Sequence, residues 1–520
     1  MKKNNKSFLI NFLKLVETLG NKLPHPFILF TIFSIIILFL SFILSKFGVS
    51  ISYFDIKTQT ENVININNLL TYENLRDLIS GIPTIFINFP SLKIVVLMMM
   101  AIGVVDNIGF FNVLMRKYLL KTPKNVITTV FIFMAVNANI MSDAGTIFAI
   151  TMGGILFSAL GRNPKIGIIA GFAACSGGFT ANFFVAGTDA LLAGITEQAA
   201  HSVGYNITVN PLCNYYFMAA ATLLLTFVIT FVTEKIIVKV EGDYEGLSTS
   251  QLNEYKLTED EERGLKYSFY SFIIFVIIMG ILTIPQNAFF RNSDGGFLPK
   301  SPLLSSIVMI IFFLFLFVGV GYGIGTKKIK SSRDIPKYLQ KGLSQAIPLM
   351  VTLLPASIFI HLLNKSNSLK ILAFACSNVI KELNVSPLIL LLIVTLMTSF
   401  LNLFLTSGST KWLVLSQIVV PTFALLNISP AYAQLAFRIG DSATNIVSSV
   451  QNLIPVVLGL LADYEAEGKL KLKEGEKLGF GTVFSLTIPY SVAILITLVI
   501  AMIIWYLLDL PIGPGVYLHF

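Results

Sequence analysis

Long uncharged stretches cut by short basic connectors set the pattern of this chain. Phe27 to Leu44 contains no charged residue, and a helical run of that length crosses the hydrocarbon core of a bilayer. Pro26 suits its first turn, because the missing N–H would find no intrahelical partner there. A second span is expected from about Leu92, and others near Asn214–Val232, Tyr267–Ile284, Leu303–Ile324, Ala346–Leu363 and Phe480–Leu507. Phe8 to Leu19 reads as a short amphipathic helix without a following cleavage site, so residues 1–26 form an N-terminal segment rather than a signal peptide. Residues 27–120 hold the first two spans around a polar loop at 46–89, residues 201–345 the middle spans, and residues 463–520 a last loop, span and tail. Lys and Arg gather after the second span, at Arg162–Lys165, Lys327–Lys341 and Asp463–Lys477. That bias puts those loops and the N-terminus in the cytoplasm and the 46–89 loop outside. Within the cytoplasmic connector at 234–266, the stretch around Glu241 to Arg263 carries both signs of charge and reads as solvated.

Two regions resist division into plain spans, 125–200 and the later part of 346–462, from about Pro387. The first holds Asn137, then Ser142-Asp143-Ala144-Gly145, Ser176-Gly177-Gly178-Phe179 and Gly187-Thr188-Asp189. The second holds Asn402, then Ser407-Gly408-Ser409-Thr410-Lys411-Trp412 and Arg438-Ile439-Gly440-Asp441. In each, an Asn precedes a Ser by five residues at a Gly-containing break, and an Asp follows some 30 to 46 residues later. Paired interruptions of this kind point to a transporter built from inverted repeats, because backbone freed inside a membrane must line a cavity or be buried in protein. Re-entrant hairpins turning at Ser142–Gly145 and Ser407–Thr410 satisfy that requirement.

Composition then excludes the alternatives. Of the 520 residues 55% are hydrophobic and 12% charged, whereas soluble domains carry about 25% charge. The net charge of +9 comes from the short loops, so nucleic acid is not a partner. Three dispersed cysteines, Cys175, Cys213 and Cys376, form neither a disulfide framework nor a thiolate metal site. No metal-spaced histidine pair, phosphate-binding loop or nucleophile motif is present, so enzyme chemistry has no residues to run on.

Between Pro387 and Ala462 the charged residues are Lys411, Arg438 and Asp441 alone. A charge near the bilayer centre costs at least about 2.5–3.5 kcal/mol on insertion scales, which makes such residues functional candidates. Arg438 and Asp441 share a helix face and can pair. They read either as a structural ion pair or as a substrate site, with Arg438 offering a forked cation to a carboxylate and Asp441 restraining it or binding a coupling cation. Lys411 is expected to snorkel to water. Trp412 reads as an aromatic face for substrate or as an interface anchor. Asp143 reads as a helix cap and as a site for H⁺ or Na⁺, and Asp189 divides evenly between the same two roles. Asn137, Asn182, Asn402 and Asn445 can complete a Na⁺ shell, bind a carboxylate or hydrogen-bond between helices.

Leu15–Pro26, the Ser142–Gly145 break, Ser176–Phe179, Gly187–Thr196 and Arg438–Ser442 with Thr444-Asn445 together resemble the p-aminobenzoyl-glutamate transporter (AbgT) family, from Leu15 to the Pro511–Gly515 tail. The resemblance implies a homodimer in the bacterial inner membrane, each subunit with about nine transmembrane helices and two re-entrant hairpins. It implies cation-coupled movement of p-aminobenzoyl-glutamate or related folate-derived and sulfonamide-like compounds. By matching motif it implies Asp143 in the first hairpin, Asn402, Ser409 and Trp412 in the second, and Pro430, Arg438 and Asp441 in the following unwound region and helix, all at the substrate and ion site. Ser448-Ser449 stands where the family has Thr-Pro, and Leu353–Ser357 lacks the family's Gln-Phe.

The expectation is an all-α polytopic membrane protein that moves an aromatic carboxylate by alternating access, with no cofactor beyond a coupling H⁺ or Na⁺. An exporter of sulfonamide-type antimetabolites, or a dicarboxylate transporter of the same build, is the alternative.

Overall fold

The computed structural model describes residues 24–55, 60–123, 126–179, 181–205, 207–242, 256–297, 301–405, 407–448, 451–470, 472 and 478–519. The amphipathic helix expected at Phe8–Leu19 and the Ser449 position lie outside the described residues. Nearly all of the rest is helix. The first expected span is α1 (Pro26–Lys46), within two residues of the predicted ends. The 46–89 segment departs from the expectation of a polar loop: β1 (Ser50–Asp55) pairs antiparallel with β2 (Thr60–Asn65), and α2 (Tyr72–Ile87) follows. Leu75, Leu78, Ile82 and Ile85 recur at helical spacing there, and Thr71 Oγ1 accepts from the Asn74 N–H at 3.3 Å. Local periodicity and a cap thus form a helix where average polarity suggested none.

Next come α3 (Pro90–Asn107) and α4 (Phe110–Lys121), then the first broken region: α5 (Ile127–Asn137), a 3₁₀ turn at Ala138–Met141, α6 (Ser142–Ala159), α7 (Pro164–Gly177) and α8 (Gly187–His201). The middle holds α9 (Tyr215–Val232), which continues through a π turn to Glu241, then α10 (Glu259–Thr283), α11 (Ile307–Gly325), α12 (Asp334–Lys365) and α13 (Ser368–Glu382). The second broken region is α14 (Pro387–Leu401), α15 (Gly408–Leu425), α16 (Pro430–Asn445) and α17 (Ile454–Ala466), and α18 (Phe480–Leu507) closes the chain. Among the described residues, seven helical stretches are long and apolar enough to cross a membrane, and shorter apolar helices fill the broken regions. Two spans begin earlier than hydropathy indicated. α10 starts at Glu259 behind a capping box of Thr258 and Glu261, and α12 starts at Asp334. Both extensions are charged, so a hydropathy reading passes over them.

The helix breaks fall near the expected motifs, but the tight turns do not. Ser142–Gly145 lie in the first turn of α6, and Ser407 is the N-cap of α15. The chain reverses at Leu160–Asn163 and again at Leu426–Ser429, and the two turns are built alike. Gly161 and Asn427 adopt left-handed backbone (φ +71° and +58°). The next N–H reaches back five residues, from Arg162 to Phe157 O at 2.8 Å and from Ile428 to Phe423 O at 2.9 Å, which is a Schellman closure. Pro164 and Pro430 then open the following helices. The correspondence is 266 positions throughout, from Gly161 to Asn427 and from Pro164 to Pro430.

α6 and α7 pack so closely that a Cβ on Gly153 would lie 2.1 Å from Gly167 O, and one on Gly167 2.0 Å from Gly153 O. Their turn is tied to the far end of α9. Arg162 makes a two-pronged ion pair with Glu234 (2.8 and 2.9 Å), and Lys165 pairs with Glu241. The start of the 234–266 connector, through Glu241, is therefore packed helix, and residues 243–255 lie outside the described residues. The second turn is tied to the tail and to the start of α9: the Ser429 N–H donates to Leu518 O at 2.7 Å, and Asn214 Nδ2 donates to Ala431 O at 2.9 Å. Asn214 and Glu234 are some 20 residues apart on one helical path, about 30 Å at 1.5 Å per residue. The two turns thus face opposite ends of the molecule.

Gly167→Leu should lower stability by about 2–3 kcal/mol, as overpacking does in a close-packed contact. Thermal unfolding of the detergent-purified variant measures it, and an unchanged Tm would refute the close contact of α6 with α7.

Candidate functional site

The buried helix α16 carries the polar residues of the second region on two adjoining faces. Phe437, Asp441 and Asn445, four apart, line a chamber of about 310 Å³. Facing them are Asn139, Ser176, Phe179 and Thr188 from the first region, and Ser407, Gly408 and Ser409 from the start of α15. The chamber lies where the two broken regions meet. Gly408 makes room for the carboxylate: a Cβ there would lie 2.9 Å from Asp441 Oδ2. Asp441 therefore stands beside the N-terminus of α15, whose unpaired N–H groups favour negative charge.

Arg438 and Asp441 do not pair with each other, although their spacing allows it. Arg438 donates to Asp189 Oδ1, and Asp189 Oδ2 accepts from the Ala186 N–H at 2.7 Å. Asp189 thus closes the first turn of α8, one of its two expected roles, and holds the guanidinium at once. Asp441 pairs with Lys411, which also donates to Asn402 Oδ1, while Asn402 Nδ2 donates to Asp441 O at 2.6 Å. Lys411 is 2% exposed, which corrects the expectation that it snorkels to water. Lys411 sits one turn inside α15, and the Asp441 carboxylate opposite compensates its charge where water does not reach. Breaking such a buried pair from one side costs about 3–5 kcal/mol, because the remaining charge stays desolvated.

The other expected residues divide. Ser409 lines the chamber. Asn445 lines it too, donating to Ser176 O at 3.3 Å and accepting from Gln451 at 3.0 Å. Asn137 is a bracket, donating to Phe133 O and accepting from the Phe183 N–H at 2.9 Å. Asn182 is 1% exposed, and neither its amide oxygen nor its nitrogen has a hydrogen-bond partner. It borders a small cavity of about 10 Å³ shared with Asp189, Asn214 and Arg438, room for about one water beside the Arg438 pair. Asp143 stands in the first turn of α6, and its side chain is outside the described residues. Pro430 is the first residue of α16 rather than part of an unwound segment, and it lines a different cavity. Eight residues separate it from Arg438, about 12 Å along the helix.

Trp412 is fully buried and does not line the chamber. Its ring lies against Phe437, with centroids 4.6 Å apart, and Phe437 is the ring that faces the chamber. The indole Nε1 donates to Thr196 Oγ1 at 2.9 Å, Thr196 lies 2.6 Å from Gln434 Oε1, and Gln434 Nε2 donates to Asn214 Oδ1 at 3.0 Å. Thr196, Gln434, Asn214 and Phe437 were not singled out in the sequence. Gln434 does stand one turn before Arg438, and Phe437 one turn before Asp441, so the face of α16 was their available signal.

Comparison with known proteins agrees with this architecture. The AbgT transporter family matches residues 11–520. The p-aminobenzoyl-glutamate transport protein of Escherichia coli K12 is 33% identical over 503 residues, 96% of each chain. Among solved structures, the MtrF protein of Neisseria gonorrhoeae, described within a class of antimetabolite efflux pumps, superposes with a TM-score of 0.88 at 31% identity over 97% of this chain and 99% of its own. The YdaH transporter of Alcanivorax borkumensis gives 0.84 at 28% identity over 94% and 100%. With a family match over almost the whole length and relatives that are transporters throughout, this multi-pass membrane protein belongs to the AbgT family and is a transporter rather than an enzyme.

Proposed function

We propose that the protein is a cation-coupled secondary transporter of aromatic carboxylates of the p-aminobenzoyl-glutamate kind. It works by alternating access as a homodimer in the bacterial inner membrane, with its N-terminus in the cytoplasm. The observation that carries this reading is the buried Arg438–Asp189 pair beside a chamber bounded by both broken regions. A substrate carboxylate competes with Asp189 for the Arg438 fork, since both are planar anions of the same charge. Asp189, displaced, is free to take H⁺ or Na⁺. Substrate and cation then bind with a shared coupling free energy, which a gradient-driven carrier requires. Asn182 supplies an unpartnered donor and acceptor next to the pair, and Phe437 and Phe179 supply ring faces at the chamber wall. Asp143 remains a second coupling candidate with Na⁺ or H⁺ near it. The name of the Escherichia coli relative supports p-aminobenzoyl-glutamate as substrate. The likeness to MtrF supports a second reading, export of sulfonamide-type antimetabolites, which drug susceptibility of a sensitive host carrying the gene tests directly.

Arg438→Lys keeps the charge and loses the fork, so the apparent affinity for p-aminobenzoyl-glutamate in proteoliposomes should fall about tenfold or more. Unchanged affinity would remove Arg438 from substrate recognition. Asp189→Asn should abolish accumulation driven by an imposed H⁺ or Na⁺ gradient while counterflow exchange of labelled substrate persists. Full accumulation by that variant would move coupling to Asp143 or Asp441.

A further inference from the structure

A second cavity, of about 650 Å³, lies at the Pro430 end of α16, bounded by Val209, Asn210, Cys213, Ser305, Ala431 and the Pro514–Tyr517 tail. Among the described residues its wall carries no Asp, Glu, Lys or Arg. It is a vestibule at the end of the molecule where the Leu426–Ser429 turn is tied to the tail.

The neutral network of Trp412, Thr196, Gln434 and Asn214 stands between this vestibule and the chamber, and each member touches one side or the other. Thr196 Oγ1 is 2.8 Å from the carbonyl of Leu192, which lines the chamber, and Trp412 lies against Phe437, which lines it too. Gln434 Nε2 is 3.6 Å from Cys213 Sγ, and Asn214 donates to the carbonyl of Ala431, and both of these partners line the vestibule. All four side chains are at most 1% exposed. They come from four separate elements, α8, the entry to α9, α15 and α16, so the network parts when the α15–α16 hairpin moves against α8 and α9.

We propose that Trp412, Thr196, Gln434 and Asn214 form the gate between vestibule and chamber, the barrier a solute must open to pass from one to the other. This rests on the transport reading above. Neutral groups suit a gate, because they exchange partners with water at little net cost, whereas separating a buried ion pair strands two desolvated charges. Asp441 lines the chamber, and the Arg438–Asp189 pair borders a small separate cavity with Asn214; in this proposal recognition falls to the charged pairs and closure to the neutral network.

The native cysteines report on the two compartments, since Cys175 lines the chamber and Cys213 the vestibule. In a Cys376→Ala background, a membrane-impermeant methanethiosulfonate is applied to sealed vesicles of each orientation, and modification of each cysteine is followed by mass spectrometry. Cys213 should react from one side, and Cys175 should be protected from that side. In Thr196→Val and in Gln434→Leu, the Cys175 rate from the Cys213 side, relative to the Cys213 rate, should rise about fivefold or more, the shift that losing one buried hydrogen bond gives an opening equilibrium. A ratio unchanged in both variants would overturn the gate. Should either variant fail to fold, Thr196→Cys with Gln434→Cys gives a second measurement: Cd²⁺ bridging the two thiols should stop flux reversibly, and flux that continues overturns the proposal. Protection of Cys175 by saturating p-aminobenzoyl-glutamate tests the transport reading separately. Its absence alongside an opened gate would fault the substrate assignment and leave the gate standing.

Discussion

Arg438 and Asp441 occupy one buried helix three residues apart, and each finds its counter-charge on a different part of the chain. Asp189 arrives from the start of α8 and Lys411 from the start of α15. A charge enclosed in an apolar interior must be neutralised there or pay its desolvation in full. That constraint fixes how four helices meet. α8 is held against α16 by the Arg438 pair, while α14 and α15 are held by the Lys411–Asp441 pair with Asn402 bridging them. The chamber is the space these two clamps leave between the broken regions. Among the described residues Asp441 is the one charged residue on its wall, and the Arg438–Asp189 pair borders a small separate cavity.

The hairpins that bring these helices together rest on backbone contact as much as on charge. α6 and α7 meet at Gly153 and Gly167 with no side chain between them, the device by which membrane helices approach when lipid supplies no hydrophobic drive. At Gly145 the same economy of volume lets the 3₁₀ turn fold onto α6, where a Cβ would lie 1.9 Å from Ala138 O. One turn is locked by Arg162 and Lys165 to Glu234 and Glu241, and the other is tied by backbone hydrogen bonds to the tail. The two ends of the molecule are therefore closed by different chemistry, ionic at one and neutral at the other.

The repeat is real in the backbone and misleading in the carboxylates. At the 266-position correspondence, Ser142 matches Gly408 and Gly161 matches Asn427, but Asp189 opens the fourth helix of its region whereas Asp441 lies late in the third helix of its own. Asp189 meets α16 as the partner of Arg438, whereas Asp441 is itself an α16 residue paired with Lys411 of α15, so their likeness of surrounding sequence is not structural equivalence.

The sequence by itself determined the membrane class, the positions of most spans, the two broken regions and the short set of buried polar residues, because bilayer crossing and intramembrane charge leave signals within a few residues of chain. The span from Phe480 to Leu507 matches its helix end for end. Charged extensions such as Asp334 onward and the amphipathic α2 were hidden, since average hydropathy is blind to a helix that leaves the apolar layer. Only the tertiary structure decided who pairs with whom. Lys411 could be judged snorkelling or buried only once Asp441 was seen opposite it. Trp412 could be placed behind Phe437 rather than in the chamber only once α15 and α16 were packed. Thr196, Gln434 and Asn214 are ordinary polar residues until four separate elements bring them into one network. Pairing inside an apolar interior is a property of distances between segments far apart in the chain, and local sequence carries no record of those distances.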